Sequence, residues 1–257
     1  MESIYNPMYK LLISLNEYDD EILADPKFEM LFKNFRSNLK KVFHGTILIS
    51  EIQNDEQIMS LYDYIIKPEL IEYLYQKITT VWDLSYQIGT LIIKIPKGKN
   101  KYESLQKEFN KINQNALDFR WYKSFNEFRN RITHGGLNLI TYYDNKRIKF
   151  QIYDNDVEET IEYNDFYNDG QRLIIFADYY FTYYTIQLHN YLCKFFDYVK
   201  TQYEQQQSKD INRNTIDEYY KNQIKNIEIA NLEKFLKLQN DINLNRDENS
   251  KYNFYYR

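Results

Sequence analysis

Apolar residues recur at three- and four-residue intervals over most of the chain, with one central stretch where the interval drops to two. From Phe28 the positions Leu31, Phe32, Phe35, Leu39, Val42 and Phe43 mark one face of a helix that runs to about Ser50. Asp25-Pro26 opens it, because aspartate caps orphan amides and proline suits the first helical turn. Asp55 opens a second run. Pro68 is expected to divide it, since the residue before a proline resists the α conformation. From Glu69, Leu70, Leu74, Ile78, Val81, Trp82, Ile88, Leu91 and Ile92 continue the period towards Pro96. A polar turn at 97–100 precedes a third run through Tyr102, Leu105, Phe109 and Ile112, with Leu117 and Trp121 beyond. Ser124 and Glu127 have the spacing of a capping box and start or restart a short helix through Phe128 and Ile132. Gly135-Gly136 stops it.

Beyond those glycines Leu137–Tyr143, Arg147–Tyr153 and Val157–Tyr163 alternate, with a turn at Asp144-Asn145, which predicts a small antiparallel meander. The helical period returns at about Asp169 and holds to Gln206 through Leu173, Phe176, Tyr180, Tyr184, Leu188, Leu192, Phe196 and Val199. After a polar break at Gln205 to Ser208, Thr215 caps a final amphipathic helix with Ile216, Tyr219, Ile224, Ile227, Leu232, Phe235 and Leu236. The expected fold is mainly α: an antiparallel helical bundle at 1–206 with a β insertion at about 137–163. A C-terminal amphipathic helix at 210–240 and a polar tail at 241–257 follow.

Composition narrows the chemistry. Six glycines and four prolines in 257 residues disfavour a turn-rich all-β fold. One cysteine, Cys193, and three histidines leave no material for a disulfide framework or a cysteine-rich metal site, so no metal or cofactor is expected. No apolar run reaches 18 residues and no basic leader opens the chain, so a cytoplasmic location away from membranes is expected. The net charge of -4 means that any RNA surface must be a local basic patch. Arg131, Lys146, Arg147 and Lys149 are the candidates, with Lys94, Lys97, Lys99 and Lys101 a second cluster. Tyr142, Tyr143 and Tyr153 are candidates for stacking on bases. Phosphate-binding glycine loops, dinucleotide fingerprints, zinc-protease helices and nucleophile elbows are all absent.

One segment stands apart: Phe128-Arg129-Asn130-Arg131-Ile132-Thr133-His134-Gly135-Gly136. Histidine titrates near neutrality and moves protons, arginine keeps its charge and grips phosphate, and asparagine holds either by hydrogen bonds. Asn130 and His134 share a helix face, whereas Arg129 and His134 lie about 140° apart on a straight helix. His44 and His189 are expected to be structural.

Arg129-Asn130-x-x-x-His134, at a helix end and ahead of a long helix, resembles the signature of the HEPN superfamily. The resemblance covers approximately residues 25 to 200. It implies a bundle acting as a homodimer with motifs facing across the interface. The implied activity is a metal-independent endoribonuclease, a toxin or antiphage effector, with Arg129, Asn130 and His134 catalytic. It also implies 2′-hydroxyl attack that leaves a 2′,3′-cyclic phosphate, and a partner such as a nucleotidyltransferase-type antitoxin or another defence component. Two other readings stay open: a non-catalytic bundle that binds a nucleotide or protein, and a helical scaffold acting through its C-terminal helix.

Overall fold

The computed structural model describes residues 2–18, 21–93, 105, 107–109, 120–134, 139–151, 174–207 and 216–244. Helices dominate, with small antiparallel sheets. In chain order they are β1 (Glu2–Tyr5), α1 (Tyr9–Glu17), a 3-10 turn (Glu21–Ala24), α2 (Pro26–Ile52) and α3 (Glu56–Ile92). There follow α4 (Arg120–His134), β2 (Thr141–Asp144), β3 (Arg147–Gln151), β4 (Ile174–Phe176) and α5 (Ala177–Gln206). The last are α6 (Glu218–Lys225), β5 (Asn226–Ile229) and α7 (Leu232–Leu244). Asp25 caps α2 by accepting from the Lys27 amide at 2.8 Å, and Asp55 caps α3 by accepting from Ile58 at 3.0 Å. No helix among the described residues is long and apolar enough to cross a membrane.

Helices α2, α3 and α5 pack around one core, because each carries an apolar stripe too wide to leave in water. Phe35 of α2 meets Phe196 of α5 edge to face at 5.3 Å. Trp82 of α3 is sandwiched between Tyr122 of α4 at 3.6 Å and Tyr191 of α5 at 4.0 Å. Gly89 is where α3 and α5 approach closely: a Cβ there would lie 2.9 Å from the Phe195 ring.

The three-stranded sheet has the order β2-β3-β4, with Thr141 opposite Phe150 and Phe150 opposite Ile175. Its third strand, β4, runs straight into α5. The alternating segment Val157–Tyr163 expected to form that strand lies outside the described residues. So does most of the run from Tyr102, of which Leu105 and Phe109 are helical and buried. A second sheet, unforeseen in the sequence, joins segments more than 200 residues apart: β1 pairs with β5, from Glu2 opposite Ile229 to Tyr5 opposite Asn226. Asn6 locks this junction. Its Nδ2 donates to the Ile224 carbonyl at 2.8 Å, and its Oδ1 accepts from the Met8 amide at 3.1 Å.

Several expected boundaries are corrected. Pro68 does not end a helix; α3 passes through it. The carbonyl that loses its partner belongs to Tyr64, which is 71% exposed, while Lys67, Ile71 and Leu74 are buried. The long helix begins at Ala177, not at about Asp169, because Ile174–Phe176 is claimed by β3. Helix α4 is already formed at Arg120, so Ser124 is not its first cap. The final helix expected from Ile216 to Leu236 is a helix, a strand and a helix. Ile227 and Ile229 alternate into the core while Asn226 and Glu228 face out, and Asn231 turns the chain at φ 56°.

Candidate functional site

The Arg-Asn-x-x-x-His segment occupies the last two turns of α4. Phe125 and Phe128, both 2% exposed, anchor that helix against Tyr75 of α3 at 4.4 and 5.0 Å, and Phe125 also meets Tyr184 of α5 at 5.1 Å. Tyr122 and Ile132 extend the packed stripe. Arg129 falls two turns after Tyr122, about 20° from it around the helix, and is therefore half-buried at the edge of this stripe. Burial pushes the Tyr122 phenol well above its ordinary value; the Asp83 carboxylate adds to that and the Arg129 charge works against it.

Arg129 Nη1 donates to Asn130 Oδ1 at 2.9 Å, so the asparagine fixes the guanidinium. Arg129 Nε is buried and has no hydrogen-bond partner among the described residues. Asn130, Arg131 and His134 are exposed. No hydrogen bond joins Arg129 to His134. The two point to different sides of α4, as the five-residue spacing demands. Within one chain, the arginine and asparagine are brought together and the histidine is presented separately to solvent at the helix end.

The remaining candidates divide. Arg131 is exposed and makes no ion pair to another described residue. Lys146 pairs with Glu56 at 2.5 Å at the surface. Lys149, 6% exposed, pairs with Asp144 at 2.9 Å and lies over the Phe176 ring. Arg147 donates to Asp178 Oδ1 at 2.6 Å, and its guanidinium lies 4.0 Å from the centroids of both Phe176 and Tyr179. Arg147 and Lys149 are thus fastened to the sheet and the start of α5 rather than spread as an open patch. Tyr143 donates to the Gln53 carbonyl at 2.8 Å. Tyr153, Lys94, Lys97, Lys99 and Lys101 lie outside the described residues.

His44 and His189 take structural parts. His44 Nε2 accepts from the Ala230 amide at 3.1 Å. His189 is fully buried, with Nε2 2.9 Å from the Tyr5 carbonyl oxygen, and burial pushes its pKa down to about 4. Cys193 lies one turn on, its thiol pushed up to about 12 by burial. Among the described residues no group of three or more His, Cys, Asp or Glu is placed to hold a metal ion.

A cavity lies elsewhere. A cleft of about 690 Å³ opens between the end of α2, the β2–β3 turn, the start of α5 and α7. Its floor is Asp178, 3% exposed, which accepts from Arg147, from Gln53 Nε2 at 2.8 Å and from the Tyr179 amide at 2.9 Å. Asp178 and Gln53 were not singled out from the sequence. The available signal was an acid set in the apolar run Ile174-Ile175-Phe176-Ala177-Asp178-Tyr179-Tyr180, where a charge must find a partner. No family model, curated protein or solved structure matches this chain.

Proposed function

We propose that the protein is a metal-independent endoribonuclease of the HEPN type, with Arg129, Asn130 and His134 as its working residues. The observation that supports this reading best is the end of α4. There a guanidinium held by Asn130 Oδ1 and an exposed imidazole project from one rigidly docked helix. His134 takes the proton from a ribose 2′-hydroxyl, the 2′-oxygen attacks phosphorus, and the bond from phosphorus to the 5′-oxygen breaks. The 5′-oxygen takes up a proton from water and leaves as a hydroxyl, His134 returns its proton to solvent, and a 2′,3′-cyclic phosphate remains. Arg129 stabilises the charge that grows on the non-bridging oxygens.

One chain presents its arginine and its histidine on different sides of α4. A two-fold dimer that brings two α4 ends together supplies both groups to one phosphate, from one copy or across the interface. RNA is the substrate in this reading, and toxicity or antiphage action in the cytoplasm follows from cutting cellular or phage RNA. A nucleotidyltransferase-type antitoxin or other defence component is then the fitting partner.

The test is the rate of RNA cleavage by purified protein in excess chelator, with folded His134→Ala and Arg129→Ala beside it. Wild type cuts and each variant loses about 100-fold or more, the scale of a lost proton-transfer or charge-stabilising group. Cleavage that survives both substitutions rejects the assignment. A chain that binds RNA or a nucleotide equally well in all three forms and cuts in none is a binding module.

A further inference from the structure

The cleft beside Asp178 is lined by four cations, Lys146, Arg147, Lys234 and Lys237, and three carboxylates, Glu51, Asp178 and Asp241. Two of the carboxylates are committed to the protein. Asp178 has both oxygens hydrogen-bonded and is almost wholly buried. Glu51 accepts from Lys234, and Asn231 Nδ2 lies 3.4 Å away. Three of the cations are paired as well, Arg147 with Asp178, Lys234 with Glu51 and Lys146 with Glu56. Lys237 is exposed and makes no ion pair to a described residue. Among the described residues Lys146 pairs with Glu56, a side chain 70% exposed, and such a surface pair is exchanged at little cost.

Arg147 is the most prepared of the four. The rings of Phe176 and Tyr179 lie against it and Asp178 accepts from its Nη2, so its orientation is set before any ligand arrives. Its Nη1 makes no hydrogen bond to a described residue. With Nη2 on Asp178 and Nε buried, Nη1 is the donor left to meet a phosphate oxygen. Ser50, Asn54 and Asn145 add neutral hydrogen-bonding groups around the same space. The volume is far larger than a bare anion requires and falls in the range of sites for small organic ligands.

We propose that this cleft binds a small organic phosphate, its phosphoryl group met by Arg147, Lys146 and Lys237. The site is separate from the end of α4, and the inference does not rest on the ribonuclease reading. The two sources of such a group, a nucleotide and a sugar phosphate, are distinguished by probe.

The experiment titrates the full chain calorimetrically with AMP, glucose 6-phosphate and inorganic phosphate, repeating each with Lys237→Glu, Lys146→Ala and Arg129→Ala. Both cleft substitutions are at exposed side chains, and unchanged thermal unfolding without ligand verifies that they fold. At least one organic phosphate binds more tightly than inorganic phosphate, each cleft variant weakens it about tenfold, and Arg129→Ala leaves it unchanged. The proposal is overturned if neither organic probe binds at about 10 mM. It is equally overturned if inorganic phosphate binds as well as both, if the cleft variants match wild type, or if Arg129→Ala abolishes binding.

Discussion

Replacing Phe125 by alanine removes the ring that ties α4 to both α3 and α5. The side chain is 2% exposed, with its centroid 4.4 Å from Tyr75, 5.1 Å from Tyr184 and 6.3 Å from Tyr180. Truncating a buried phenylalanine costs about 3–5 kcal/mol, the larger values arising where the surroundings cannot close the cavity. Here three helices meet, and the rings of Tyr75, Tyr180 and Tyr184 border the space. The gap therefore stays open and the cost is about 4 kcal/mol, part of it the lost aromatic pairing. For a chain of this size each kcal/mol lowers the unfolding midpoint by about 2–4 °C, so the expected drop is about 8–16 °C. Thermal and urea unfolding of wild type, Phe125→Ala and Phe125→Leu measure it, the leucine variant falling between the other two. A loss under about 1 kcal/mol for alanine refutes the packing described and leaves α4 without its main anchor.

Other outcomes follow from the same contacts. Asn6→Ala leaves the Ile224 carbonyl and the Met8 amide unpaired in a buried junction, which costs about 2–3 kcal/mol in urea unfolding. His189 is held neutral to about pH 4 when folded and titrates near 6.5 when unfolded, so the unfolded chain binds the extra proton between those values. Stability therefore falls as pH drops from 6.5 towards 4, by about 2 kcal/mol between pH 7 and pH 5, and this step is absent in a folded His189→Asn variant measured by unfolding at those two pH values. Arg131→Ala leaves the midpoint unchanged and lowers the salt dependence of RNA binding by about one counterion, whereas Lys149→Ala lowers stability by about 1 kcal/mol and leaves that dependence alone.

The main helices were legible because their stripes are long: seven apolar positions from Phe28 to Phe43 admit no other period. Aspartates 25 and 55 marked true starts for a local reason, a carboxylate satisfying amides two or three residues on. What escaped the sequence depended on distant partners. Ile227 fits a helical stripe as well as a strand, and only β1, more than 200 residues away, decides for the strand. Pro68 obeys a local rule that packing on its buried side overrides. In the candidate site, Arg129, Asn130 and His134 stood out by spacing, and the half-burial of Arg129 follows from its place two turns after Tyr122. The fastening of Arg147 was hidden, because its partner Asp178 lies 31 residues on, at the start of α5, whereas Lys149 meets Asp144 across the β2–β3 turn.

The ends left on RNA test the central claim most directly. A defined single-stranded RNA is incubated with the protein in excess chelator, beside His134→Ala verified as folded. The products' termini are then identified by mass. Attack by the 2′-hydroxyl with His134 moving the proton predicts 2′,3′-cyclic phosphate and 5′-hydroxyl ends from wild type and none above background from the variant. Products bearing 5′-phosphate and 3′-hydroxyl ends, or cyclic ends made equally by His134→Ala, contradict it.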